Sequence, residues 1–219
     1  MATAGARRST TRSKEMPARS AATRQRLVDA AVDALRDDGF AGSSARNIAY
    51  RAGSTQSQVF YHFGSVADLL LAALDDVSAR RMDAYQPMLD SATNPAELLR
   101  TARTVLADDV SSGDLKVLVE MVAGAQTVPG LGEQVAERLL PWYAFAETAV
   151  NKAVAGLPFR SLLPVRDIAH AVVAGILGLE LLSSLGGENA RTLALLDQAA
   201  GFASLTRPPA TSGDLHDHR

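Results

Sequence analysis

Apolar side chains recur every three or four residues along nearly the whole chain, a spacing that gathers them on one face of a helix and scatters them over both faces of a strand. Leu27, Ala30, Ala31, Ala34 and Leu35 form the first such stripe. It predicts a helix over 21–38, with Gly39 as the left-handed residue past its end and Phe40 folding back as an apolar contact. A very short helix over 45–51 follows, capped by Ser44 and ended by Gly53, and a third runs over 55–63 with Thr55 able to cap it. Beyond Gly64 the helices lengthen: 66 into the eighties, 95–111, 115–126, 131–155 with a kink at Pro141, 165–185, and 188–205. No segment alternates apolar and polar residues between hairpin turns, and no fixed-period repeat is present. The fold class is all-α.

Charge divides the chain near the same place as helix length does. Residues 1–66 hold ten Arg and Lys against five Asp and Glu, and residues 67–219 hold twelve against nineteen, so a net −2 conceals a basic start and an acidic remainder. Only the start suits a polyanion. Residues 1–20, with Arg7, Arg8, Arg12, Lys14 and Arg19 and a single acid at Glu15, read as a disordered basic arm; no apolar core follows the arginines as it would in a leader peptide. The longest apolar stretch, 171–182, contains Glu180 and is shorter than the ~20 residues that span a bilayer. No membrane partner is expected. The absence of cysteine excludes disulfides, thiolate nucleophiles and Cys-ligated metal sites, and fits a cytoplasmic location.

The segment 44–63, SARNIAYRAGSTQSQVFYHF, spells a short helix, a tight turn around Gly53 and a second short helix. Ile48, Ala49 and Ala52 point inward with Val59, and Gly53 supplies the backbone freedom the turn needs. This is a helix-turn-helix. In such a unit the second helix enters the major groove N-terminus first, which aims Thr55, Gln56, Ser57 and Gln58 at base edges. Gln pairs bidentately with adenine, whereas Ser is permissive.

Residues 23–70 resemble the DNA-binding domain of the TetR family of transcriptional regulators. The resemblance lies in TR opening the first helix, AA at its middle, GF after it, IA and AG around the turn, and an aromatic-His-Phe run followed by a serine and leucines. It implies a homodimer on double-stranded operator DNA, a ligand cavity in the C-terminal domain, and repression relieved by a small-molecule effector. By the same resemblance Ser44 and Arg46 lie near the DNA backbone, Gln56, Ser57 and Gln58 read bases, and Tyr61 and His62 contact phosphate. Ser54, Phe60 and Val66 depart from the family's usual turn valine, phosphate-reaching tyrosine and phosphate-facing lysine. Phe60 and Phe63 are read as core. The expected division is a basic arm over 1–20, a DNA-binding domain over 21–66, a helical effector-binding and dimerisation domain over 67–205, and a disordered tail over 206–219. A bacterial protein, nucleoid-associated when bound to DNA, would follow.

In the C-terminal domain Ala171, Ala174, Gly175 and Gly178 form a stripe of small side chains suited to close helix approach, either for dimerisation or within the chain. Trp142 and Phe145 share a face, and Met82, Tyr85 and Met121 lie on helices that could converge on them around an apolar or aromatic effector. His170 and Glu180, within about 80° of each other on one helix, are candidate polar groups of that cavity. Lys116 and Glu120 read as an exposed i, i+4 pair. No HExxH, G-x-S-x-G or P-loop occurs, so neither catalytic residues nor a metal or other cofactor are expected. The competing class is a helical adaptor without specific DNA binding, which leaves the basic arm and helix-turn-helix unexplained.

Overall fold

The structure is a computed structural model that describes residues 7–156, 159–184, 194, 197 and 198. Among the described residues eight α-helices follow in order: α1 Arg7–Gly42, α2 Ala45–Arg51, α3 Gln56–Phe63, α4 Val66–Ser91, α5 Pro95–Ser112, α6 Asp114–Ala125, α7 Leu131–Val154 and α8 Val165–Ser184, with a 3-10 turn at Arg160–Leu162. The helix expected over 188–205 and the tail over 206–219 lie outside the described residues, as do residues 1–6.

Local signals set most boundaries. The Ser44, Ser65 and Asn94 side chains accept hydrogen bonds from the backbone N–H groups of Asn47, Asp68 and Glu97, capping α2, α4 and α5. Gly113 and Gly130 take left-handed backbone angles at the breaks before α6 and α7. Helix α7 runs on through Pro141, where a kink was expected. Two expectations about α1 are corrected. It begins at Arg7 rather than at residue 21, so the stretch read as a disordered arm is helical from Arg7 on. A helix already nucleated by the buried stripe at Leu27–Leu35 extends backward through Arg, Lys, Met and Ala, good helix formers that offset the cost of Pro17 in its interior.

The second correction concerns Gly39. Its φ of 71° is positive as expected, but its ψ of −176° is extended, outside the left-handed helical region and in one that is essentially reserved for glycine. A Cβ there would also meet the Glu120 carboxylate at 2.7 Å. Gly39→Ala should therefore cost about 1–3 kcal/mol of stability, read as a lower midpoint in urea unfolding. A change within a few tenths of a kcal/mol would contradict the assignment.

One continuous apolar core joins Leu27, Ala31 and Leu35 of α1, Ile48 of α2, Val59 of α3, Leu70 and Leu74 of α4, and Leu115, Leu118 and Met121 of α6. It crosses residue 66 without a break. Helix α4 also ties to α7, since Arg138 donates two hydrogen bonds to the Asp75 carboxylate at 2.7 and 3.1 Å and Lys152 reaches the α4 C-terminal carbonyl of Leu89 at 2.6 Å.

Helix α6 grips the end of α1. Phe40 N–H donates to Glu120 Oε2 at 2.9 Å, Lys116 donates to the Arg36 carbonyl, and Arg36 pairs with Asp114. The Phe40 ring lies so close over Gly124 that an added Cβ would fall 2.0 Å from it. Lys116 and Glu120 are thus not the exposed pair that their spacing suggested. Each bonds backbone about eighty positions away, a partner that no local pattern reveals.

Candidate nucleic-acid interface and effector cavity

Helix α2 is held against the end of α1 by polar contacts that the sequence reading missed. Arg51 donates to Asp37 and Asp38, both at 2.7 Å, and the Asn47 amide donates to Asp38 at 2.6 Å and to the Gly42 carbonyl at 2.9 Å. Asn47, and next Arg51, hold the Asp38 carboxyl below its usual range. The visible signal was the adjacent acids Asp37 and Asp38 with an arginine, Arg51, at the end of the next helix. These contacts, with Ile48 and Val59 buried beneath, fix the angle at which α3 stands out from the molecule.

Along α3, Gln56, Ser57, Gln58 and Tyr61 are exposed and His62 is half-buried, its ring edge-on to Tyr61 with centroids 5.0 Å apart. Thr55 occupies the N-cap position but makes no capping bond; its hydroxyl lies 2.9 Å from that of Ser57. A surface groove between α2 and α3 brings Ser44, Arg46, Thr55 and Gln56 together, along with Asn47, Tyr50 and Ser54. Ser57, Gln58, Tyr61 and His62 lie outside that groove, further along the helix. The Ser44 hydroxyl accepts the capping bond from Asn47 yet keeps its own O–H to donate. Tyr50, 85% exposed on this face, went unremarked in the sequence although an aromatic one residue outside the buried Ile48–Ala49 pair is a visible sign.

Two neighbouring expectations change. Phe60 was read as core but is 49% exposed, because Val59 takes the inward position one residue earlier; Phe63 does pack on the core, with the Arg24 guanidinium 4.8 Å over its ring. Val66, at the start of α4, is half-buried against the core rather than turned outward as a phosphate-facing position would be.

The C-terminal helices form a half-open cavity of about 270 Å³ whose wall, among the described residues, is almost wholly apolar. Tyr85, Trp142 and Phe145 line it as expected, but Met82, Met121, His170 and Glu180 do not. Arg81, Tyr85 and Leu89 form the cavity-facing row of α4, which leaves Met82 rotated about 100° away. Met121 is fully buried in the core shared with α1. His170 is exposed and stacks on Tyr143 with ring centroids 4.1 Å apart. Glu180 is buried, its Oε2 unpartnered among the described residues, and burial raises its pKa against the opposing pull of Lys116.

The cavity's polar end is a cluster of which the sequence reading named only Tyr85. Arg81 pairs with Asp109, Tyr85 donates its O–H to the same carboxylate, and the Arg81 guanidinium lies 4.6 Å over the Trp142 ring. All three side chains of the cluster are buried. Burial raises the pKa of Asp109, against the opposing pull of Arg81, and also raises that of Tyr85, so the phenol stays protonated. Arg81 continues the apolar row Leu70, Leu74, Val77, and a charge on such a row was the available clue.

On α8 the small-residue stripe faces away from the core. Ala171, Ala174 and Gly175 are exposed and Gly178 half-exposed; a Cβ added at either glycine would meet nothing within 4 Å among the described residues. Exposed Leu181 and Leu182 extend the same apolar face. Packing against a described helix of the same chain does not account for the stripe. No described helix is long and apolar enough to cross a membrane.

Residues 27–73 match the family described as bacterial regulatory proteins, tetR family. The chain is 30% identical over 198 residues to the HTH-type transcriptional regulator BetI of Cronobacter sakazakii, covering 82% of this chain and 92% of that one. Its fold matches a TetR-family regulator from Rhodococcus sp. at a TM-score of 0.68 and 20% identity, over 83% of this chain and 98% of that one. It also matches the regulator FadR from Bacillus subtilis, solved in complex with stearoyl-CoA, at a TM-score of 0.67 and 14% identity, over 82% and 96% of the two chains. With a helix-turn-helix of this construction and a relative aligned along most of both lengths, the chain belongs to the tetR family of bacterial regulatory proteins and is a DNA-binding transcriptional regulator.

Proposed function

We propose that the protein is a repressor that binds a palindromic operator as a homodimer and is released by a small molecule in the C-terminal cavity. The observation that carries this reading is the outward face of α2 and α3. Ser44, Arg46, Thr55 and Gln56 converge on one groove there, and α3 continues outward with exposed Ser57, Gln58 and Tyr61. In this reading Ser44, Arg46, Tyr61 and His62 contact the phosphate backbone, and Gln56, Ser57 and Gln58 read base edges in the major groove. Tyr50 joins the backbone contacts from the same groove. The test is a mobility shift with DNA upstream of neighbouring genes, titrated with salt. Binding should weaken with a log–log slope of about −0.9 per phosphate contacted. A helical adaptor would give no shift.

Dimerisation is assigned to the outward face of α8 with Ala171, Ala174, Gly175 and Gly178. Gly175→Leu places a large side chain where a second helix must approach closely, at a cost of about 1–3 kcal/mol. The variant should shift toward monomer in analytical ultracentrifugation at micromolar concentration while staying folded, because no described neighbour is disturbed. An unchanged dimer would move the interface elsewhere.

Release is assigned to α6. Its Leu115 and Leu118 line the cavity, and its Lys116 and Glu120 hold the end of α1 on which α2 is braced. A ligand that shifts α6 therefore shifts the angle of the two recognition elements of the dimer, and so the spacing they present to the operator. The Bacillus subtilis neighbour's complex with stearoyl-CoA supports a small-molecule occupant for a protein of this fold.

A further inference from the structure

We propose that Phe60 reads a thymine in each operator half-site, by packing its ring on the C5-methyl group that thymine presents in the major groove. The proposal rests on the reading that α3 enters that groove, and it adds an apolar contact to the polar ones already assigned to the helix. Its basis is the make-up of the exposed side of α3. Gln56, Ser57, Gln58 and Tyr61 are exposed and each carries a hydrogen-bonding group, so any of them can meet a phosphate or a base edge. Phe60 is 49% exposed and carries none. It is the one exposed side chain of α3 without a polar atom, and Val59 beside it, fully buried, already fills the inward position.

Position decides what such a ring meets. Phe60 follows Gln56 by four residues, about 40° around the helix and ~6 Å along it, so the two side chains share one flank. Gln56 borders the groove that also holds Ser44 and Arg46. Once α3 lies against a duplex the ring leaves water together with that flank, and only an apolar partner turns this into a gain. A phosphate oxygen set against the ring loses hydration and receives no donor in exchange, which is unfavourable. The base edges in the major groove are hydrogen-bond donors and acceptors, with one apolar exception, the thymine C5-methyl group. A separation of ~6 Å against a rise of about 3.4 Å per base pair puts that methyl within about two base pairs of the pair read by Gln56.

Replacing thymine by deoxyuridine removes the methyl and leaves every hydrogen-bonding atom of the base in place, so it isolates this contact. The experiment uses the full-length protein, the operator it selects from a randomised pool, and duplexes in which each thymine of the half-sites is replaced in turn, in symmetric pairs. One such replacement near the Gln56 position should weaken wild-type binding about fourfold per half-site and about fifteenfold in all, the worth of one buried methyl group. Phe60→Ala should bind the thymine and deoxyuridine duplexes alike at that position, while Gln56→Ala should keep the full difference. The variant places the best helix former at a half-exposed position, and circular dichroism checks its folding; the wild-type scan decides without any variant whether a methyl is read. A half-site with no preferred A·T pair, a wild type indifferent to every replacement, or a Phe60→Ala protein that keeps the difference would each overturn the proposal. So would a loss by Phe60→Ala of equal size on operator and unrelated duplexes, which would set the ring on sugar carbons. Interference by methylation of guanine N7, a major-groove atom, tests the other reading separately. If that methylation blocks binding in the half-sites but no thymine methyl matters, α3 lies in the major groove and the Phe60 contact falls; if neither matters, the groove reading itself falls.

Discussion

Gln56→Ala is expected to weaken binding to the preferred operator by about 1–3 kcal/mol per half-site, the worth of a good bidentate base contact, and by roughly 2–6 kcal/mol for a dimer that uses two copies. The side chain is exposed in the first turn of α3 and borders the groove shared with Ser44 and Arg46, where in the proposed complex the helix enters the major groove. Nothing buried depends on it. Anisotropy titrations with operator and unrelated duplexes should therefore show the loss on the operator alone, at an unchanged salt slope, because phosphate contacts remain. An equal loss on both duplexes would make Gln56 a backbone contact and move base reading to Ser57 and Gln58.

The second large effect lies in the C-terminal domain. Arg81→Met keeps most of the side-chain volume but leaves Asp109 buried without its cation, and removing one partner of a buried pair typically costs about 3–5 kcal/mol. The Arg81 and Asp109 side chains are only 8% and 3% exposed, so water cannot substitute. The pH dependence has a definite direction. Burial already lifts the pKa of Asp109 above the ordinary carboxylate range, and losing Arg81 lifts it further. A carboxyl with a folded pKa above its unfolded one favours folding least when ionised, so its cost grows as pH rises from the unfolded value through the folded one. The gap between variant and wild type should consequently close as pH falls, because Asp109 takes up a proton more readily once Arg81 is gone. Urea unfolding at pH 7.5 and pH 4.5 measures it; a gap under 1 kcal/mol at pH 7.5, or one that widens in acid, would contradict the buried pair.

What the sequence made legible follows how local each signal was. Ser44, Gly53, Gly64 and Asn94-Pro95 act within one turn of where they stand, and the helices they bound begin and end within a residue or two of expectation. The exposed face of α3 was equally readable, since Val59 and Phe63 define its buried side. Phe60 was misjudged because aromatic character alone does not tell which face of a short helix turns inward. Glu120 was misjudged because its i, i+4 relation to Lys116 offered a sufficient local partner, while the true one, the N–H of Phe40, becomes available only after Gly39 turns the chain. The Arg81–Asp109–Tyr85 cluster spans two helices and 28 positions, so no window along the chain holds it. The candidate cavity was legible in its aromatics, Tyr85, Trp142 and Phe145, and hidden in its charges. His170 was placed in it on angular proximity to Glu180, but the two sit toward opposite surroundings, one stacked on Tyr143 in solvent and one in the core.

The central claim is that two copies of this chain, joined through α8, present two α3 helices to one DNA duplex. Selection of duplexes from a fully randomised pool by the full-length protein tests it most directly. The predicted result is an enriched inverted repeat whose half-sites are centred about one helical turn apart, or a multiple of it. Enrichment of a single asymmetric site, or of no sequence at all, would contradict the account.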